Sequence, residues 1–190
     1  MIILVDKKRF ASLLTLLLIG ILGVCAIFNI GKIKKSFYPE KYVFYVEKYS
    51  AQYGLDKFMV YSIIKAESNF KEDVSSAKGA VGLMQVMPDT AEEIAGKIEL
   101  NGYLPEKLAE PEINIQMGCY YLAFLLNRYS GDFVSAAAAY NAGYGNVDSW
   151  LAEWQADTVD AEKIPFGETK KYVIKVNDYY NKYCELYAEE

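Results

Sequence analysis

The chain has 190 residues, with 20 basic and 25 acidic side chains and a formal charge of −5. That length suits one domain with a short extension, and the charge supplies no basic stripe for a nucleic acid. There is no histidine, which excludes His-ligated zinc, Ser-His and Cys-His nucleophile pairs and an imidazole base. Chemistry here must run on carboxylates, hydroxyls, amides, lysines or the three thiols.

The first element is apolar. Lys7, Lys8 and Arg9 precede an uncharged run from Ala11 to Ile30, and as a helix about 20 residues long it would rise roughly 30 Å, the thickness of a bilayer's hydrocarbon core. A cleavable signal peptide is the rival, but Phe28-Asn29-Ile30-Gly31 offers no small-x-small cleavage site. The pattern therefore predicts an uncleaved transmembrane signal anchor. Lys32, Lys34 and Lys35 balance the basic residues before the run, so the positive-inside rule gives no orientation. Leu22-Gly23-Val24-Cys25 faintly resembles a lipoprotein box, with valine where a small residue belongs; the plainer reading of Cys25 is a small hydrophobe. Cys119 and Cys184 are read as buried free thiols, with one disulfide as the alternative. No metal or cofactor is expected.

From Phe37 onward the punctuation is helical. Tyr42–Tyr53 is amphipathic and closed by Gly54; Asp56 caps a helix through Phe58, Val60, Ile63 and Ile64 to about Ser68. Residues 71–88 read as an ordered loop. Asp89 opens the next helix in a capping-box pattern with Glu92. Residues 96–113 read as loop, Asn114 as the cap of a helix ending near Ser130-Gly131, and Asp132 as the start of an alanine-rich helix stopping at Asn141-Ala142-Gly143. An irregular acidic stretch follows Trp150 through Pro165. The last helix runs from about Thr169 to Tyr187 and carries a tyrosine ladder read as packing. Trp150 and Trp154 either flank a groove or seal the domain. The fold class is all-α.

Glu67 shares a helix face with Ile63 and Ile64. A carboxyl on that inward face, at the negative end of the helix dipole, has its pKa raised, which suits a general acid near neutrality. The alternative is a glutamate at a frayed helix end. In the loop after it, two glycines and Gln85 allow close backbone approach and amide contacts to a sugar, or merely a turn in which Met84 and Met87 pack. Tyr140 and Asn141 stand at a helix end, where a C-cap is the plain reading.

Taken in order, Glu67-Ser68, Gly79-Ala80-Val81-Gly82-Leu83-Met84-Gln85, Pro88 with Thr90-Ala91, and Tyr140-Asn141-Ala142-Gly143 closely resemble the lysozyme-like domain of soluble lytic transglycosylases. Pro111, Asn114, Gly118, Leu122, Ile164-Pro165, Glu168-Thr169 and Tyr172-Val173 extend the resemblance over residues 40–184. It implies a goose-type, lysozyme-like helical domain at 37–190, and the apolar pattern before it makes residues 1–36 a short cytoplasmic tail, the anchor and a basic linker. It further implies cleavage of the MurNAc-β-1,4-GlcNAc bond of peptidoglycan with formation of 1,6-anhydro-MurNAc. Glu67 matches the family's sole catalytic carboxylate, acid first and then base. Ser68 matches a serine that positions the acid or a sugar; Met84 and Gln85 match groove residues; Tyr140 matches a tyrosine near the carboxyl and Asn141 a cleft neighbour. Glu168 matches an acidic residue that is cleft-lining or structural. The expected partners are glycan strands and, through the N-terminal helix, the cell membrane, with the catalytic domain outside. A hydrolytic muramidase using Asp73 or Asp89 as base is one alternative. A non-catalytic peptidoglycan-binding scaffold beside a secretion or division complex is the other.

Overall fold

The computed structural model describes residues 7–100 and 102–188, in two units, Met1–Pro39 and Glu40–Glu190. Among its described residues the first holds one helix, α1 (Lys7–Phe37), with Leu13, Leu16, Leu17 and Ile19 exposed. Thr15 donates its hydroxyl to the Ala11 carbonyl at 2.9 Å, so this polar side chain is satisfied within its own helix. Among the described residues no helix is long and apolar enough to cross a membrane. The side chains of Leu22, Cys25, Ala26, Ile27, Phe28 and Ile30 lie outside the described residues. Those positions carry part of the predicted span and the cysteine of the lipoprotein-box reading.

The second unit is all-α among its described residues. Helices α2 (Val43–Tyr53) and α3 (Lys57–Glu67) begin and end where their punctuation predicts: Gly54 closes α2 in the left-handed region, and Asp56 accepts the Phe58 N–H at 2.8 Å. In α3, Val60, Tyr61, Ile63 and Ile64 are fully buried. A helix apolar on nearly every side belongs at the centre of a core. It lies against α8 (Gly167–Tyr187), whose Tyr172, Val173, Val176 and Tyr183 are also buried, and Tyr61 stacks on Tyr183 with centroids 5.4 Å apart. The tyrosine ladder is packing, as its period predicts. Helix α6 (Phe133–Ala142) sits against α8 and α5 (Pro111–Arg128) through buried Ala136 to Ala139, whose small side chains permit close approach. Cys119 and Cys184 are free thiols, Cys119 buried as expected and Cys184 only half-buried.

Three predicted boundaries are corrected. Helix α4 (Pro88–Lys97) starts at Pro88 with Met87 as its cap, so Asp89 lies in the first turn and caps nothing. Proline fits the first helical position because its fixed φ is already helical and its missing N–H would have had no partner. Helix α5 likewise starts at Pro111, before Asn114, and a 3-10 turn at Pro105–Ala109 interrupts the predicted loop. The chain around Trp150 is a helix, α7 (Tyr144–Trp154). Gly143 is at once the last cap of α6 and the first of α7, so a glycine that reads as a stop joins two helices. Trp150 is buried, stacks on Trp154 and meets Phe166 edge-on at 5.1 Å. The tryptophans seal α7 against the approach to α8.

Asn114 has a larger task than capping. It is fully buried, accepts the Met84 N–H at 2.7 Å, and donates to the carbonyls of Val81 and Leu108, each at 2.8 Å. These bonds fasten the segment between α3 and α4, whose only strand-like features among the described residues are the isolated bridges Ser75–Val81 and Val81–Val86. Leu83 and Met84 are buried beneath it. Two glycines make the fit possible. Gly82 has φ +78°, and a Cβ there would stand 2.8 Å from Asn114 Cγ; one on Gly118 would stand 2.8 Å from Met84 Cβ.

Replacing Asn114 with alanine strands one N–H and two carbonyls, and is expected to lower unfolding free energy by about 3 kcal/mol. Gly118→Val is expected to cost about as much by forcing Met84 from its seat. Urea unfolding of the full chain measures both, and losses below about 0.5 kcal/mol, the range of ordinary surface changes, would show that neither residue anchors the loop.

Candidate active site

Glu67 is the last residue of α3, and Ser68 behind it is buried and returns its hydroxyl to the Ile64 carbonyl at 3.1 Å. Ser68 therefore finishes the helix and does not face the cleft. Glu67 opens into a cavity of about 350 Å³ whose other walls include Ser76, Gln85, Met87, Tyr140, Asn141 and Glu168. A second arm of about 320 Å³ shares Gln85, Met87, Tyr140 and Asn141 and continues to Thr90 and Tyr121. The two arms form a cleft with the carboxyl in one of them, a shape suited to an extended ligand.

Burial pushes the Glu67 carboxyl up from an ordinary 4.5 to about 7. Three groups of α8 modulate that: Tyr172 and Lys175 pull the value down and Glu168 raises it. Tyr172's buried hydroxyl lies beside the carboxyl without a hydrogen bond of ordinary geometry. Lys175 donates to the Ala66 carbonyl at 2.9 Å, a cation at the negative end of α3. Burial keeps the Tyr172 and Tyr140 hydroxyls protonated, and nearby Glu67 raises both further.

The loop and α6 supply the remaining walls. Gln85, with φ +48°, donates its amide to the carbonyls of Val74 and Gly82, both at 2.9 Å. Both amide protons are thereby used, and the amide oxygen is what it can offer a ligand. Tyr140 donates to the Met84 carbonyl at 2.8 Å, which ties α6 to the loop and fixes the phenol in the cleft wall. Asn141 accepts the Thr169 hydroxyl at 2.8 Å from the first turn of α8. Glu168 stands at the rim, 77% exposed at its side chain, with the Lys78 ammonium 3.9 Å away.

Of the residues singled out from sequence, the cleft gathers Glu67, Gln85, Tyr140, Asn141 and Glu168. Met84 is corrected: its side chain is fully buried against Gly118, and only its carbonyl serves the cleft. The methionine at the surface of the cleft is Met87, 41% exposed. Both Met84 and Met87 sit in one apolar run, and only the turn at Gln85 decides which faces inward. Ser76 and Lys78 also line the cleft, and no periodicity marks them. Lys175 was legible in principle, since it follows Tyr172 by three residues on one helix face. Asp73 and Asp89 do not line the cavity around Glu67. Among the described residues no group of His, Cys, Asp or Glu side chains could hold a metal ion.

Comparison with known proteins bears on this geometry. The family described as "Transglycosylase SLT domain" matches residues 44–162. The soluble lytic murein transglycosylase of Escherichia coli K12 is 35% identical over 147 residues, covering 75% of this chain and 23% of that protein. Membrane-bound lytic murein transglycosylase C of Yersinia pestis is 31% identical over 166 residues, covering 75% and 46%. The chain thus spans about a quarter of its soluble relative and under half of the membrane-bound one. An inactive mutant of the lytic transglycosylase Slt from Pseudomonas aeruginosa superposes with a TM-score of 0.72 at 34% identity, over 78% of this chain and 24% of that one. A 70-kDa soluble lytic transglycosylase in complex with bulgecin A gives 0.76 at 33% identity, over 80% and 25%. Matched over more than half its length and superposing on these structures, the chain belongs to the transglycosylase SLT domain family.

Proposed function

We propose that the chain is a membrane-anchored lytic transglycosylase that cuts peptidoglycan glycan strands. The observation that carries this reading is Glu67, a carboxyl raised to about 7 by burial at the wall of a two-armed cleft. In its acid form it protonates the glycosidic oxygen of the MurNAc-β-1,4-GlcNAc bond as the C1–O bond breaks. The resulting carboxylate takes the proton of the C6 hydroxyl while O6 bonds to C1, closing a 1,6-anhydro ring. Glu67 ends protonated and no water is consumed. Ordinary glycosidases place a second carboxylate about 5–9.5 Å away for the nucleophile or the water. The other carboxylate of this cleft, Glu168, is solvated at the rim beside Lys78, which favours intramolecular attack. Gln85, Tyr140 and Asn141 hold the sugars against Glu67, and Ser68 acts by finishing α3.

Residues 1–36 are proposed as cytoplasmic tail, signal anchor and basic linker, and residues 37–190 as the catalytic domain on the outer side of the cell membrane. The continuous α1 helix, its exposed leucines and the uncharged run Ala11–Ile30 support an anchor, and one relative is named as membrane-bound.

Digestion of purified peptidoglycan by the full chain in detergent should release muropeptides one water lighter than hydrolysis products and resistant to borohydride. Reducible ends would mean a muramidase, and no release a scaffold. Glu67→Gln should slow release about 10²- to 10⁴-fold while binding persists; normal cutting by this variant would end the mechanism.

Because the acid form starts the reaction, activity should fall as pH rises through about 7. Lys175 favours the charged form, so Lys175→Met should move that descending limb to higher pH, and Lys175→Arg should restore it. An unmoved limb would detach Lys175 from the carboxyl.

Glu67 also binds its proton more tightly folded than unfolded. Its contribution to stability is full below 4.5 and is lost as pH rises to about 7. Glu67→Gln should therefore stabilise the protein at pH 8, by up to about 3 kcal/mol, and hardly at pH 4. Equal gains at both pH values in thermal unfolding would contradict burial as the cause of the shift.

A further inference from the structure

Opposite charges face each other at the mouth of the cleft. Lys78 comes from the loop between α3 and α4 and Glu168 from the first turn of α8, and both line the arm that holds Glu67. Lys78 also lines the second arm, which Glu168 does not. The lysine therefore stands where the two arms meet. No other lysine or arginine among the described residues lines either arm, and Lys175 donates instead to the Ala66 carbonyl.

The backbone under Lys78 is held while its side chain is free to turn. Gly79 donates its N–H to the Ser76 carbonyl at 2.9 Å, closing a tight turn with Lys78 at its third position. The Ser76 hydroxyl accepts the Ala80 N–H at 3.0 Å, and the Ser76 N–H donates to the Ala80 carbonyl at 2.9 Å. Beyond this turn the Lys78 side chain is 81% exposed, and its ammonium stands 3.9 Å from the Glu168 carboxylate. That separation is too long for a hydrogen bond. An exposed ion pair of this kind contributes little, because water screens the charges and two long side chains lose freedom. Glu168 thus keeps the ammonium over the cleft without saturating it, and a closer anion can take its place.

We infer that Lys78 selects glycan strands that carry a carboxylate, binding that group in exchange for Glu168. The inference rests on the proposed reading of the cleft as a peptidoglycan site. N-acetylmuramic acid differs from N-acetylglucosamine by a lactyl ether at O3, which ends in a carboxylate or continues into a stem peptide with carboxylates of its own. Both sources present the same anion. Such a strand meets Glu168 as a like charge, and Lys78 is the one cation of the cleft that offsets it. A neutral strand in the same arms gains no ion pair. The cleft would thereby favour murein over an uncharged polymer of N-acetylglucosamine with the same backbone.

The test is calorimetric titration of the full chain in detergent, carrying Glu67→Gln to prevent cleavage. The probes are chitohexaose, glycan strands stripped of peptide by an amidase, and uncrosslinked strands that keep their peptides. Lys78→Met should weaken an anionic strand about fivefold relative to chitohexaose. Lys78→Glu should weaken it further, and Lys78→Arg should keep the parent ratio. Glu168→Gln, which releases the ammonium, should move the ratio the other way. Raising salt from about 50 to about 300 mM should shrink the preference of the parent chain and hardly that of Lys78→Met. With its side chain in solvent, Lys78 can be replaced without loss of packing. A shift with stripped strands assigns the lactyl carboxylate to Lys78, and a shift with peptide-bearing strands alone assigns a peptide carboxylate; either upholds the selection. Equal changes for all three probes, or none, in Lys78→Met would overturn it while leaving the cleft reading intact. If no probe binds the Glu67→Gln chain, both readings fall.

Discussion

Three hydrogen bonds from one buried amide hold the cleft in shape. Asn114 joins α5 to the loop through the Met84 N–H and the Val81 carbonyl, and to the preceding 3-10 turn through Leu108. Only an amide offers an acceptor and two donors at once on so short a stem. Alanine would leave all three backbone groups unpaired, and aspartate would lack the donors. The loop fastened in this way carries Gln85 and Met87 on its exposed side, and Met84's carbonyl anchors Tyr140 from α6. Placing the cleft walls is therefore a consequence of core packing: Gly82 and Gly118 admit Asn114 and Met84, and the loop follows.

The second constraint is electrostatic and opposes the first in tendency. The interior that orders α3 also strips water from its last residue, and desolvation is the largest influence on the Glu67 carboxyl. Left alone, burial would hold the proton more tightly still and make the group a poor acid. Tyr172 and Lys175, one turn apart on α8, stabilise the charged form, and Lys175 does so while bound to the Ala66 carbonyl. The pair of helices α3 and α8 thus sets both the position of the carboxyl and its proton affinity. In the proposed reaction the group gives a proton and then takes one back, a task best done near the ambient pH, and the opposing influences leave it at about 7.

Much of this was legible in the sequence. The caps Asp56 and Asp132, the stop at Gly54 and the inward face of Ile63, Ile64 and Glu67 follow from local rules, because a cap's hydrogen bond reaches only its own first turn. What could not be read were long-range choices. Asn114 sits in a helix where it resembles a cap, and its partners are 30 and 33 residues away in sequence at Met84 and Val81. Met84 and Met87 are chemically alike, and the left-handed turn at Gln85 sends one inward and leaves the other exposed. Helix α7 was hidden because Gly143 and Gly145 lower local helix propensity, while buried Val147 and Trp150 recover the cost in tertiary contact.

For the proposed reaction, the solvated state of Glu168 matters as much as the burial of Glu67. A second carboxylate held dry beside the first would raise both proton affinities and invite a water between them, as in an inverting hydrolase. Here the Glu168 side chain is largely in solvent and faces an ammonium, so it offers little as a positioned base. There is no histidine in the chain to replace it, and in the proposed reaction the nucleophile comes from the substrate. An internal hydroxyl held against the anomeric carbon carries an effective concentration far above that of any second reactant, on the order of 10⁵ M or more in well-oriented systems. The catalytic burden then shifts from activating water to holding one sugar in the conformation that brings O6 onto C1. In the proposed reaction that task falls to the walls the hydrogen bonds fix, Gln85 on its tied loop, Tyr140 on Met84 and Asn141 on Thr169, so the packing around Asn114 and the proposed chemistry at Glu67 would not vary independently.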